Sequence, residues 1–247
     1  MTQLNLAALG RATLDTTLTA DDANGIAAEF RSAGVRIWGV SGTFNAIGPH
    51  MAARRQSTEA CIHVIEHAPM LGAQVVTLCT GTRDPDDMWR GHPDNATPRA
   101  WSDLRDTLDL LIPHAAGAGV RLGIEPETGN VVRDAQTAVR LLAQLGDDAR
   151  HLAIVLDPAN LLTVETLDRQ NDILTEAFDL LGEQTAAIHA KDVVDAGYAA
   201  PGVGSMDYDL VMRLYRALPR PVPIIAQDLT ADDAGRVHTF LSEHAEP

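Results

Sequence analysis

Four polar side chains stand at the ends of successive apolar runs in the second half of the chain. They are Glu125 in "LGIEPE", Asp157 in "IVLDPA", His189 in "AIHAKD" and Gln227 in "IIAQD", spaced by 32, 32 and 38 residues. An ionised carboxylate inside a protein needs a counter-ion or a bound cation. Two acids, an imidazole and a carboxamide that meet at one place therefore predict a site for a divalent cation.

The donor types favour a hard or borderline ion. Three oxygen donors and one nitrogen suit Mn²⁺, Mg²⁺ or Co²⁺, with Zn²⁺ as a further option. Each residue alone has an ordinary structural interpretation: Glu125 forms an ion pair with Lys191, Asp157-Pro158 is a strand-ending turn, or His189 is a hydrogen-bonded core histidine. For Lys191 the ordinary interpretation is an ion pair with Glu127 or Asp157. The recurrence of such residues at the same point of four consecutive units favours the metal site.

The elements that must position these side chains are short strands. Seven β-rich runs cover residues 4–10, 35–42, 74–81, 120–127, 152–159, 186–192 and 222–228. Their nearly continuous apolar character is typical of parallel strands covered on both faces. Helical patterns lie between them, and two of them stop at Gly146 and Gly182. Another follows the cap pair Thr97-Pro98 and has apolar residues at three- and four-residue steps, namely Leu104, Leu108, Leu111, Ile112 and Ala115. The chain is therefore predicted to be built from βα units.

Repeated βα units form either an open doubly wound sheet or a closed (β/α) barrel. A barrel gathers the carboxyl ends of its strands round one mouth, where the active sites of that fold lie. An open sheet would spread four strand ends along a line, with the outer pair roughly 14 Å apart. The four polar residues therefore favour a TIM-type barrel in a single domain over residues 1–247.

Composition limits the classes of partner. A chain of 247 residues, 45% of them hydrophobic, is long enough for one large core. The net charge of −15 disfavours a protein that binds nucleic acid, because such proteins place a basic surface against the phosphate backbone. Two cysteines are too few for a disulfide framework, and no run reaches the roughly 18 apolar residues of a spanning helix. We expect a cytoplasmic protein with a small-molecule partner.

The segments "LGIEPE", "IVLDPANLL", "HAKD" and "TLCTGTRDPDDMWRGHPDN" together resemble the xylose isomerase-like TIM-barrel superfamily of sugar-phosphate isomerases and epimerases. The resemblance extends over nearly the whole chain from about residue 4. It implies one divalent cation held by Glu125, Asp157, His189 and the residue at position 227. The family's usual final glutamate is replaced here by Gln227, which can coordinate through its carbonyl oxygen but cannot take a proton.

A second departure from the family lies at the front of the chain. Members usually begin with a further βα unit, so the resemblance implies a (β/α)8-type barrel that lacks its first unit. We therefore expect the strands near 4–9 and 224–227 not to hydrogen-bond to each other, and their edges to be covered, paired with another subunit or left mobile.

The resemblance also implies an activity. It is the isomerisation or epimerisation of a sugar, sugar phosphate or polyol through a metal-stabilised enediolate, with Glu125 exchanging the proton on carbon. Lys191 would neutralise the developing oxyanion. The expected substrate-binding residues are Trp89, Arg90 and His92 in the long polar loop 81–95, together with Asn160 beside the metal.

The glutamine at position 227 keeps alternatives open. Without a second base, a one-base isomerase, a dehydratase or a hydrolase of a cyclic compound is easier to support than a two-base epimerase. An alternative from another class is a degenerate barrel that binds a sugar-like ligand or a partner chain without catalysis. An abasic-site endonuclease of the same superfamily is disfavoured by the acidic charge and the single aligned histidine. The sequence leaves open the substrate and the choice between monomer and homodimer.

Overall fold

Strands and helices alternate along the computed structural model, which describes residues 1–195 and 197–245. The strands are β1 (Thr2–Leu4), β2 (Ile37–Ser41), β3 (Val75–Leu78), β4 (Arg121–Ile124), β5 (Leu152–Leu156), β6 (Thr185–Ala190), β7 (Asp192–Val194), β8 (Gly197–Ala199) and β9 (Ile224–Ala226). The helices are α1 (Ala20–Ser32), α2 (Met51–Leu71), α3 (Pro98–Ala118), α4 (Ala135–Leu145), α5 (Gln170–Leu181), α6 (Tyr208–Arg216) and α7 (Ala234–Ala245).

Seven of the strands form one parallel sheet in the order β1-β2-β3-β4-β5-β6-β9, while β7 and β8 form a separate antiparallel hairpin. The predicted α/β fold with seven strands is confirmed. Within the described residues β1 has β2 as its partner and β9 has β6, so both are edge strands. That the first and last strands do not hydrogen-bond to each other stays a prediction.

The first predicted strand is wrong in its position. The run 4–10 contributes only Leu4 to β1, and Leu6–Leu9 forms a 3₁₀ helix. The side chain of Asn5 accepts a hydrogen bond from the backbone N–H of Ala7, and Gly10 ends the helix with a left-handed φ of 75°. Local capping of this kind competes with an extended backbone, and an apolar run alone does not reveal it.

The chain divides into two compact units. The first comprises residues 1–125, 129–132 and 142–153, and it contains β1 to β4 with α1 to α3. In it β2 and β3 are buried along their whole length. Helix α3 begins after Thr97, whose hydroxyl accepts from the backbone N–H of Ala100, as the sequence predicts. Its buried face carries the predicted apolar residues Leu104, Leu108, Leu111, Ile112 and Ala115.

The second unit comprises residues 126–128, 133–141 and the chain from Ile154 onward, and it contains β6 to β9 with α5 to α7. Every residue of β6 is buried. In the pairing of β6 with β9, His189 lies opposite Ile225, and the backbone N–H of Gln227 donates to the carbonyl of Ala190 at 2.8 Å. That the two units make up a single domain stays a prediction.

The end of the sixth predicted run differs from expectation. A single strand was predicted over 186–192, but β6 ends at Ala190 and the hairpin of β7 and β8 begins at Asp192. Helix α6 then starts after Asp207, whose carboxylate accepts from the backbone N–H of Leu210. No helix in the described part of the chain combines the length and the apolarity needed to cross a bilayer.

Candidate metal centre

Three of the predicted ligands meet at strand ends. Glu125 directly follows β4, Asp157 directly follows β5, and His189 is the penultimate residue of β6. One ligand atom of each lies within 4.8 Å of those of the other two. Two ligands on opposite sides of a single ion are separated by about 4–5 Å, twice a metal–ligand distance of about 2.0–2.6 Å. The geometry and the donor types therefore fit one divalent cation.

Burial distinguishes this cluster from a group of surface acids. Asp157 and His189 are fully buried, at 0% exposure each, and Glu125 is half-buried. A buried carboxylate is costly unless opposite charge or hydrogen-bond donors surround it. Glu125 is thus the most exposed of the three candidate ligands.

Each oxygen of the Asp157 carboxylate has a neighbouring polar group. Its Oδ1 accepts a hydrogen bond from the backbone N–H of Ala159 at 2.9 Å. Its Oδ2 lies 3.2 Å from Nζ of Lys191, and the two side chains are 0% and 8% exposed. The ion pair of Asp157 with Lys191, one of the structural alternatives considered from the sequence, is therefore present. It lies within the same cluster as the candidate ligands and does not exclude a metal site.

The side chain of Gln227 reaches His189. Its Nε2 lies 2.9 Å from Nδ1 of the imidazole. With the amide donating to Nδ1, the ring proton of a neutral imidazole lies on Nε2. The nitrogen and oxygen of a carboxamide are assigned from the hydrogen-bond network. In the opposite orientation the carboxamide oxygen of Gln227 lies next to Nδ1 of His189 and accepts a hydrogen bond from it. The role of Gln227 as a fourth ligand stays a prediction.

Lys191 is held from several sides. Its ammonium lies 3.9 Å from the centroid of the Tyr198 ring, in addition to its contact with Asp157. The Tyr208 hydroxyl donates to the Lys191 carbonyl at 2.9 Å. Burial raises the pKa of Tyr208 well above its ordinary value of 10, and the charges of Asp192 and Asp157 raise it further. Tyr208 is therefore a protonated donor to this backbone over the physiological pH range.

Asp192 anchors the segment that follows Lys191. Its side chain is buried at 1% exposure; Oδ1 accepts from the backbone N–H groups of Val193 and Met206, and Oδ2 from that of Gly202, each at 3.0 Å. A Cβ at Gly204 would collide with Oδ1 of Asp192 and with the Val193 carbonyl. The loop from 200 to 206 is thus folded tightly onto one carboxylate.

Sequence reasoning missed this hairpin and Tyr198 within it. The signal available was the pair of turn formers Asp195 and Gly197 between "VV" and "YA", a weak hairpin pattern. The apolar run before it concealed the break between β6 and β7 at Lys191.

The predicted substrate-binding residues of loop 81–95 have partners within their own loop. Arg90, with a side chain 59% exposed, lies 3.5 Å from Asp84. Nδ1 of His92 accepts from the backbone N–H of Asp94 at 3.2 Å, and Trp89 is 55% exposed. Their contact with a substrate stays a prediction.

Asn160 lies in the 3₁₀ turn that follows Asp157. It is 2% exposed, and its backbone carbonyl accepts a hydrogen bond from the backbone N–H of Thr128 at 3.0 Å. Asn160 is thus three residues from the candidate ligand Asp157 and, like it, buried. Its contact with a substrate stays a prediction.

Several solved structures are similar in fold. The apo structure of 3-keto-D-glucoside 4-epimerase from E. coli matches with a TM-score of 0.71 at 16% identity, covering 93% of this chain and 86% of that one. A D-tagatose 3-epimerase-like protein matches with 0.71 at 17%, covering 92% and 83%. D-psicose 3-epimerase, crystallised with D-fructose, matches with 0.63 at 14%, covering 85% and 70%. At such identities these matches establish the fold alone.

No protein of curated function matches the sequence. The family model described as the xylose isomerase-like TIM barrel matches residues 4–222. That match spans most of the chain and includes Glu125, Asp157 and His189, whereas Gln227 lies beyond its end. The chain therefore belongs to the xylose isomerase-like TIM-barrel family.

Proposed function

We propose that this protein is a divalent-metal-dependent isomerase or epimerase of a sugar, sugar phosphate or related polyol. The observation that carries the proposal is the convergence of ligand atoms from Glu125, Asp157 and His189 within 4.8 Å. Its family membership supports the proposal, as do structural neighbours that are sugar epimerases, including an L-ribulose 3-epimerase. The substrate is accordingly a small polyhydroxylated carbonyl compound.

The cation would be held by Glu125, Asp157 and His189. For Gln227 to coordinate through its carboxamide oxygen, its hydrogen bond with Nδ1 of His189 would have to be exchanged for the ion. Mn²⁺, Mg²⁺ or Co²⁺ suits this donor set best, and Zn²⁺ is a further option. When bound, the ion polarises the carbonyl of the substrate and the hydroxyl beside it.

The side chains of the protein carry the proton transfer. Glu125 is half-buried, so a substrate can reach it. It takes the proton from the carbon next to the carbonyl and returns it to the former carbonyl carbon, while the hydroxyl proton on the first carbon moves to the former carbonyl oxygen. The ammonium of Lys191, held beside Asp157, neutralises the negative charge that develops on the substrate oxygen. Because Gln227 cannot take a proton, the reaction proceeds with a single carboxylate base.

The test compares the native protein with Glu125→Gln on a panel of ketoses with added Mn²⁺ or Co²⁺. We expect the substitution to lower kcat by roughly 10²-fold or more, because general acid–base catalysis contributes on the order of 10²–10⁴-fold. Glu59→Gln, in an exposed turn of α2, is the matched control and should leave kcat unchanged. Incorporation of deuterium from solvent at the reacting carbon reports the proton transfer directly. Equal activity of the native protein and Glu125→Gln would remove Glu125 from the chemistry.

A second candidate function is the binding of a sugar-like ligand without turnover. The glutamine at position 227, in place of the family's usual glutamate, favours it. Metal analysis of the purified protein after incubation with excess Mn²⁺ separates the two candidates. A stoichiometric ion that is lost in Asp157→Asn supports the enzyme, and the absence of a stoichiometric ion supports the binding module.

A further inference from the structure

Lys191 is the only lysine of the chain. Of the 19 basic residues counted as lysine or arginine, the other 18 are arginines. A guanidinium is a planar fork suited to bidentate pairing, whereas an ammonium is a compact charge that can lie between two unlike partners. The single lysine occurs where the ammonium has a carboxylate and an aromatic ring as neighbours.

Two neighbours of the ammonium come from different parts of the chain. Asp157 follows β5 and lies 3.2 Å from Nζ. Tyr198 belongs to β8 and presents its ring to Nζ with 3.9 Å to the ring centroid. The face of an aromatic ring carries partial negative charge and attracts a cation at this distance. The Tyr198 residue is 37% exposed, while Lys191 is 7% exposed. The ring therefore covers a charge that would otherwise lie closer to water.

The backbone explains why Tyr198 returns to Lys191. The hairpin starts at Asp192, directly after Lys191, and β8 runs back along β7 with Tyr198 opposite Val193 and Ala199 opposite Asp192. Asp192 is buried and bound by three backbone N–H groups, so the base of the hairpin is firmly held. A ring carried by such a hairpin is set in place before any ligand binds.

We propose that Tyr198 is a positioning residue for Lys191. Its ring holds the ammonium against Asp157 and limits the access of water to it in the resting protein. The consequence for turnover rests on the proposed function, because there Lys191 serves the substrate oxygen. The covering of Lys191 itself does not depend on any activity.

The sole lysine makes a direct experiment possible. The purified protein is treated with acetic anhydride at one fixed pH, and acetylation of Lys191 is followed by mass spectrometry with the N-terminal amine as internal reference. In Tyr198→Leu, which removes the ring, we expect Lys191 to be acetylated roughly fivefold faster or more. In Tyr198→Phe and Tyr198→Trp, which keep an aromatic face, the rate should stay within about twofold of the native rate.

Two results overturn the proposal. One is an unchanged acetylation rate in Tyr198→Leu with native circular dichroism. The other is an equal acceleration in Tyr198→Phe and Tyr198→Leu, which would assign the effect to the phenol hydroxyl. Should Tyr198→Leu fail to fold, Tyr198→Met provides the variant without a ring, and the same two results apply to it.

Kinetics then separates this inference from the proposed function. With an active substrate, Tyr198→Leu should lower kcat more than it changes KM, and Tyr198→Phe should restore kcat. Loss of activity in Glu125→Gln together with unchanged acetylation in Tyr198→Leu leaves the enzyme proposal standing and removes the role of Tyr198. The opposite pattern, faster acetylation in a protein that turns over no sugar, leaves the role of Tyr198 standing alone.

Discussion

Two segments that follow buried strands invite comparison: the loop 81–95 after β3 and the segment 191–206 after β6. Each is organised by one buried aspartate that accepts backbone N–H groups. Asp84, at 7% exposure, accepts from Asp86 and Asp87, and Asp192, at 1% exposure, accepts from three backbone groups of its own segment.

The basic side chains of the two segments differ in their surroundings. Arg90 is 59% exposed and lies 3.5 Å from Asp84, whereas the Lys191 side chain is 8% exposed and lies 3.2 Å from the fully buried Asp157. Exposed ion pairs contribute little because water and salt screen them, while a buried pair is strongly coupled to its partners. A long polar loop is easily recognised in a sequence. A buried pair of charged side chains is nevertheless the better indicator of a functional site.

The largest expected effect comes from removing the two basic side chains in turn. Lys191→Met should lower the free energy of unfolding by about 3 kcal/mol, because it leaves the carboxylate of Asp157 buried without its cation. Arg90→Met should lower it by less than about 1 kcal/mol. Urea denaturation at neutral pH in the presence of a chelator measures both. Equal losses would show that the two segments do not differ in the way described.

The effect of added metal on stability shows which of the two regions binds the cation. Mn²⁺ at 100 times its dissociation constant should raise the free energy of unfolding by about 2.7 kcal/mol through binding to the folded state. Asp157→Asn should abolish the rise, and Asp84→Asn should preserve it. Thermal unfolding with and without Mn²⁺ provides the measurement. A rise that disappears in Asp84→Asn would instead locate the ion in the acidic loop 81–95.

The anchoring role of Asp192 is tested by truncation. Asp192→Ala should cost roughly 2 kcal/mol, since buried donors left without an acceptor cost about 1–3 kcal/mol. Amide exchange at Gly202 and Met206 should become faster, while the amides of Asp86 and Asp87 keep their native rates. Hydrogen exchange followed by mass spectrometry or NMR reports both segments in one experiment. Unchanged protection at Gly202 would contradict the assigned anchor.

The smallest expected effect is that of low pH on the stability of loop 81–95. The backbone N–H groups of Asp86 and Asp87 hold the pKa of Asp84 below its ordinary value of 3.8, and the charge of Arg90 lowers it further. A carboxyl group with a depressed folded pKa contributes stability above its unfolded pKa and loses it as the pH falls through the folded value. Pepsin cleavage within loop 81–95 should therefore accelerate below about pH 4. In Asp84→Asn the cleavage rate should lose this pH dependence, once corrected for the pH profile of pepsin itself.

Elements with local signals were predicted well. Helix α3 starts at Thr97-Pro98 because the Thr97 side chain caps it, and its buried leucines recur every three to four residues. Each of these signals involves residues that are close together in the sequence. The run 4–10 was predicted as a strand because its apolar residues outweighed Asn5, whose cap turns the backbone into a 3₁₀ helix. The hairpin at 192–199 was missed for a related reason: an apolar run does not indicate where one strand ends and the next begins.

The convergence of three candidate ligands was predicted, but the contacts around them were not. The strand-end positions of Glu125, Asp157 and His189 follow from period-two alternation and repeated βα units, and the three ligand atoms do converge. The contact of Gln227 with His189 joins residues 38 apart in sequence and depends on the register between β6 and β9. No local pattern encodes such a register.

The sequence by itself determined the alternation of strands and helices, the types of the donor atoms, and the presence of one lysine among the basic residues. Hydrophobic period, capping chemistry and composition are properties of neighbouring residues, which is why they can be read in order along the chain. Only the tertiary structure decided that the ammonium of Lys191 lies between Asp157 and the ring of Tyr198. That arrangement depends on strand register and on a chain reversal, and both are set by the packing of distant segments against each other.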